Sequence, residues 1–154
     1  MLFRSIEAVG LCRAAGLALS PTFIPFTPWT TWESYRDLLR TLAGLDLAAS
    51  VAPIQLALRL LVTNGSRLLE LDDIGAAVTN WDAVALTHRW RHADPSLDEL
   101  ARRLLHVVDA AGKAGEGRAA TFQRICREVD VAIPDLPPLA ARATVPFLTE
   151  PWYC

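Results

Sequence analysis

The sequence predicts an α/β fold: the last strands and helices of an incomplete parallel sheet, followed by a mainly helical C-terminal extension. Three observations predict it. Residues 52–62, "APIQLALRLLV", are apolar on both faces, as strands of helix-covered parallel sheets are. Residues 17–26 form a second strand-like run, and a helical pattern lies between the two, the order of a βαβ unit. After residue 71 the pattern becomes helical, with no convincing further strand. The implied domains are 1–71, the end of the sheet, and 72–154, a helical extension with a proline-rich tail.

Residues 3–15 have helical spacing, with Ile6, Val9 and Ala14 on one side and Gly16 as the stop. The strand over 17–26 runs into "PFTPWTTWESY", a stiff apolar corner. Thr30 and Glu33 read as a capping box, which makes Thr30 the N-cap of a helix over 31–43. Tyr35, Leu38, Leu39 and Leu42 form its apolar stripe, and Gly44 ends it. "TNGS" at 63–66 is a turn after the second strand. Pro95 and Ser96 open a helix carrying Leu97, Leu100, Leu104 and Val108 at core spacing. Three glycines in "DAAGKAGEGRAA" break it, and a second helix over 118–129 turns Phe122, Ile125 and Val129 inward. The last stretch, from Ile133, holds five prolines and reads as extended chain.

Composition narrows the function classes. At 154 residues, 52% hydrophobic and 21% charged, the chain can bury a real core. A net charge of -2 gives no reason to expect nucleic acid as a partner, and no apolar run reaches the ~20 residues of a membrane span. The N-terminus lacks a clean signal peptide, because Glu7 and Arg13 interrupt its apolar stretch. The three cysteines, Cys12, Cys126 and Cys154, are far apart and odd in number, which suggests reduced thiols and a cytoplasmic protein.

Function in such folds gathers at the C-terminal ends of strands. Alternation puts Ser20, Thr22, Ile24 and Phe26, or Pro28 beyond it, on one face of the first strand. In the second, Gln55 and Arg59 are the only polar side chains, and their spacing of four puts both on one face. A buried guanidinium needs an anion. That anion is either a bound carboxylate or an internal Asp or Glu from the missing half of the protein. His88 and His92, four apart, share a face if helical, but no third ligand is evident and Arg89 and Arg91 crowd them, so a surface cluster is the better reading than a metal site. The five tryptophans read as core and interface anchors.

"SPTFIPFTPWTTWESYRDLL" followed by "VAPIQLALRLLVTNGSRLL" resembles the last third of a radical SAM barrel. "LTHRWRHADPSLDEL" and the ending "LTEPWYC" resemble the subgroup whose tail reads Cys-Cys-Ala-Glu-Pro or Cys-selenocysteine-Ala-Glu-Pro. The resemblance implies that 1–71 is the C-terminal portion of a partial (β/α) radical SAM barrel. It implies S-adenosylmethionine and a 4Fe–4S cluster as cofactors of the intact enzyme, with cobalamin as a possible third. It implies that Ser20 and Thr22 face the barrel interior, that Gln55 and Arg59 contribute to cofactor binding, and that Cys154 is catalytic, as the first half of the tail pair. The chain stops at that cysteine, which a selenocysteine UGA read as stop would produce; a true stop codon or a sequence error are the alternatives. No Cys-x3-Cys-x2-Cys is present, so the implied partners are a missing N-terminal barrel half and a small-molecule or peptide substrate. The rival readings are a small stand-alone helical binding module without chemistry and a remnant of a TIM-like hydrolase.

Overall fold

The computed structural model describes residues 2–17 and 19–133. In chain order these hold α1 (Leu2–Ala14), α2 (Trp32–Gly44), a 3-10 turn (Pro53–Leu56), a second 3-10 turn (Arg67–Glu70), α3 (Asp72–Ala77), β1 (Val78–Asp82), β2 (Thr87–Trp90), α4 (Pro95–Lys113) and α5 (Arg118–Glu128). The expected helices thus form close to their sequence boundaries. The strands do not.

The two runs expected as parallel strands meet in parallel at one bridge, Phe26 with Arg59. Phe26 N–H donates to Leu58 O at 3.2 Å and Leu60 N–H to Phe26 O at 2.8 Å. The ladder goes no further, for two reasons. Pro53 presets its own φ and lacks an N–H, and the chain after it winds into the 3-10 turn, with Gln55 N–H on Ala52 O. On the other run, Pro21 and Pro25 lack donors, and the Phe23 N–H between them is taken by Gln55 Oε1 at 3.2 Å. Residues 52–62 are therefore a turn followed by isolated bridges at Arg59 and Val62 rather than a continuous strand.

The described residues do contain a sheet where none was expected. β1 and β2 pair antiparallel, with a bulge between Val78 and Trp81. An antiparallel bridge from Val62 to His88 joins this hairpin to the Arg59 segment. The hairpin escapes sequence reading because its connection, "AVAL", has no Asn-Gly or Gly-Gly signal. Asp82 makes the turn instead, its Oδ1 accepting the N–H groups of Val84 and Ala85 at 3.0 Å each, and Leu86 adopts a left-handed φ of 52°.

The main core joins α2, residues 47–57, α4 and α5. Tyr35, Leu39 and Leu42 from α2 meet Leu97, Leu100 and Leu104 from α4 and Phe122, Ile125 and Cys126 from α5 in one cluster. Phe26 stacks on Tyr35 with ring centroids 5.0 Å apart, and the Tyr35 hydroxyl donates to Leu56 O at 2.8 Å. This core crosses the boundary expected at 71/72. A smaller cluster of Val62, Ile74 and Trp90 lies under the hairpin. Among residues 6–14 of α1 Val9 alone is buried; Ile6 and Ala14, expected beside it, are exposed, and Arg13 ties the helix to Leu45 O.

Candidate functional site

The corner after Phe26 is built by a hydroxyl. Thr30 Oγ1 donates to Pro25 O at 2.7 Å and accepts the Thr27 N–H at 2.9 Å, and the Thr27 hydroxyl lies 3.1 Å from it. Thr30 is 7% exposed, so these bonds satisfy a buried polar side chain. That commitment moves the N-cap one residue on from the expected Thr30. Thr31 Oγ1 accepts the Ser34 N–H at 3.0 Å and Ser34 Oγ accepts the Thr31 N–H at 2.9 Å, a capping box in which serine replaces the expected Glu33. Glu33 pairs with Arg40. Trp29, at the tip of the corner, donates its indole N–H to Asp73, which holds that carboxyl below the usual carboxylate range.

Arg59 has an internal partner. Its Nη1 lies 2.6 Å from Asp98 Oδ1 in the first turn of α4, its Nη2 donates to Trp90 O at 3.1 Å, and its guanidinium sits 4.1 Å above the Trp90 ring. Asp98 Oδ2 also accepts the His92 N–H at 3.1 Å, and Trp90 Nε1 donates to Leu60 O at 2.7 Å. Three separate segments are thereby locked at one node. Both charges are a little under one-third exposed and both are paired, the condition for tolerating a partly desolvated ion pair. The anion expected for Arg59 was a bound carboxylate or an acid from outside this chain; the structure instead pairs it with Asp98 of the chain itself. Asp98 was legible in principle, as the acid of a proline-initiated helix first turn, but nothing in sequence placed it opposite Arg59.

The other expected site residues do not assemble around this node. Gln55 is engaged by the Phe23 backbone. Ser20 and Thr22 are exposed, together with Ile24 on the same alternating face. Cys154 and Trp152 lie outside the described residues. His88 is on β2 and His92 in the loop before α4, so they share no helix. His92 Nδ1 lies 2.8 Å from the Asp94 N–H and 3.1 Å from Asp94 O. The Nε2 atoms of both histidines are buried without a partner among the described residues.

An open cleft of about 590 Å³ lies between residues 59–61 and the hairpin, lined by Arg59, Arg89, Arg91, Asp82, His88 and Asp98 among others. Arg89 and Asp82 pair at 2.6 Å. Asp82 is held below the usual carboxylate range, first by the Ala85 N–H and then by Arg89. A second, more apolar groove of about 880 Å³ lies between the first 3-10 turn and α4, away from every charged node described above. The two described thiols, Cys12 and Cys126, sit on different helices, and among the described residues no three His, Cys, Asp or Glu stand together as a metal site. These residues do not fit a 4Fe–4S cluster.

Comparison with protein-family models, with curated proteins and with solved structures finds no match for this chain.

Proposed function

We propose that the chain is the C-terminal part of a cytoplasmic radical SAM enzyme of the Cys-Cys/selenocysteine-Ala-Glu-Pro tail group. One observation carries the reading beyond the sequence resemblance: Phe26 and Arg59 pair in parallel, with α2 as the connection between them. A parallel pair joined through a helix is the connectivity of any βαβ unit, and barrels are one of the folds built from such units. Cluster ligands belong, in this reading, to an upstream Cys-x3-Cys-x2-Cys, and Arg59 holds the end of its segment through Asp98 rather than meeting a cofactor. Among the described residues no helix is long and apolar enough to cross a membrane.

The test is to express the reading frame extended upstream of Met1 and beyond Cys154, reconstitute it anaerobically with iron and sulfide, and assay 5′-deoxyadenosine formation from S-adenosylmethionine with a reductant. Reductant-dependent 5′-deoxyadenosine is the expected result. An upstream frame without a Cys-x3-Cys-x2-Cys ends the reading.

The stand-alone binding module is the second reading, favoured by the main core, which draws on both halves of the chain and buries Leu39, Leu100 and Ile125 completely. A sharp monomer with one cooperative thermal transition from the 154-residue chain favours it. Aggregation through open apolar edges favours the fragment.

A further inference from the structure

We propose that the cleft between residues 59–61 and the hairpin binds the phosphate group of a small phosphomonoester through Arg91 and Arg89. The charge count inside the cleft leads there. Its lining carries three guanidiniums, Arg59, Arg89 and Arg91, against two carboxylates, Asp82 and Asp98. Each carboxylate is already taken at 2.6 Å, Asp98 by Arg59 and Asp82 by Arg89. Backbone N–H groups use what remains of them: His92 on Asp98, Val84 and Ala85 on Asp82. Arg91 is exposed and has no carboxylate within ion-pair distance among the described residues. The cleft thus keeps one unmatched positive charge after every internal pair is made.

The unmatched donors are spaced for a tetrahedral oxyanion. Arg89 and Arg91 alternate along the chain of β2 and its continuation, where the Arg91 N–H still bonds Ala77 O at 3.1 Å, so both side chains leave the same side of the ribbon. Their Cα atoms are about 7 Å apart at that spacing, within reach of two long side chains converging on one group. Arg89 gives only Nε and Nη2 to Asp82, leaving Nη1 without a partner among the described residues, and the whole Arg91 fork is available. A phosphate dianion presents three oxygens, enough for the Arg91 fork and the remaining Arg89 Nη1 together; a monocarboxylate presents two. The cleft, at about 590 Å³, exceeds a bare phosphate and leaves room for the body of a small metabolite. This site is independent of the radical SAM reading, because none of its residues carries that resemblance's cofactor assignments except Arg59, which Asp98 occupies.

The test titrates the full chain with inorganic phosphate, with glycerol phosphate and with acetate at constant ionic strength, following backbone amide shifts. The expected result is saturable movement of the Arg89, Arg91 and Thr79 amides by both phosphates, with acetate at least about tenfold weaker, the loss of one charge-assisted fork. Arg91→Gln should weaken phosphate about tenfold or more on the same grounds, Arg91→Lys should recover part of it, and Arg127→Gln on α5 should change nothing. If Arg91→Gln loses its dispersed spectrum, the comparison of Arg91→Lys with Arg89→Lys carries the test. Non-saturating shifts, equal binding of acetate and phosphate, or undiminished binding in the Arg91 variants mean an adventitious ion only and overturn the proposal.

Discussion

The main core and the hairpin region hold themselves together by different means. Among the described residues the main core clusters nineteen buried side chains, almost all apolar, contributed mostly by α2, α4, α5 and residues 47–57, with Val9, Phe26, Val129 and Val131 added. The cluster under the hairpin has three: Val62, Ile74 and Trp90. Apolar burial scales with area, so the first region has stabilisation to spare and the second does not. The hairpin compensates with directed polar contacts. Arg59 joins Asp98, Trp90 O and the Trp90 ring, Trp90 joins Leu60 O, and Asp82 makes the hairpin turn. The difference teaches that a region too thin for a core can still be placed precisely, provided its partly buried charges are paired. It also explains why the cleft lies there: where apolar packing stops, polar side chains line what is left.

The largest expected effect separates the regions by what fails. Phe122→Ala removes a side chain 1% exposed at the centre of the main core and should cost about 3–5 kcal/mol. Urea unfolding should show helix and hairpin signals lost together. A hairpin that survives the loss of α5 would break the comparison, because it would be stable without the core.

Asp98→Asn attacks the other region. It leaves the Arg59 guanidinium without its anion in a partly buried place, at a cost of about 1–3 kcal/mol after allowance for its exposure. Hydrogen exchange should accelerate at Thr87, His88 and Trp90 while Ile125 and Cys126 stay protected. Uniform acceleration across α5 would mean that the two regions form one cooperative unit.

The smallest effect sharpens the contrast through the thiols. Burial pushes Cys126 up to about 11, whereas Cys12 is partly exposed on α1. At pH 8, iodoacetamide should label Cys12 rapidly and Cys126 only as fast as the core opens. The folded thiol holds its proton more tightly than the unfolded one, whose ordinary value is 9.0. Its contribution to stability is therefore complete below pH 9 and is lost as pH rises toward 11. Fast labelling of Cys126 at pH 8 would place it at the surface and shrink the main core.

Local chemistry in the sequence determined the helices. Pro95 with Asp94 starts α4, Gly115 follows its end with a φ of 66°, and the apolar spacing of Leu97, Leu100 and Leu104 names the face that is buried. Such signals lie within a few residues of one another, so the chain itself states them. The exchange of Thr30 for Thr31 as N-cap was not legible, because the rival claim on Thr30 comes from Pro25 O, presented by the corner's tertiary fold. Only the tertiary structure decided how far residues 17–26 and 52–62 pair, since a ladder needs matching donors on two distant segments and Pro53 and Gln55 redirect them. It also decided the partner of Arg59. A lone arginine in an apolar run announces that an anion must meet it, but an ion pair between residues 59 and 98 exists only once the loop, the hairpin and α4 have been brought together by burial elsewhere.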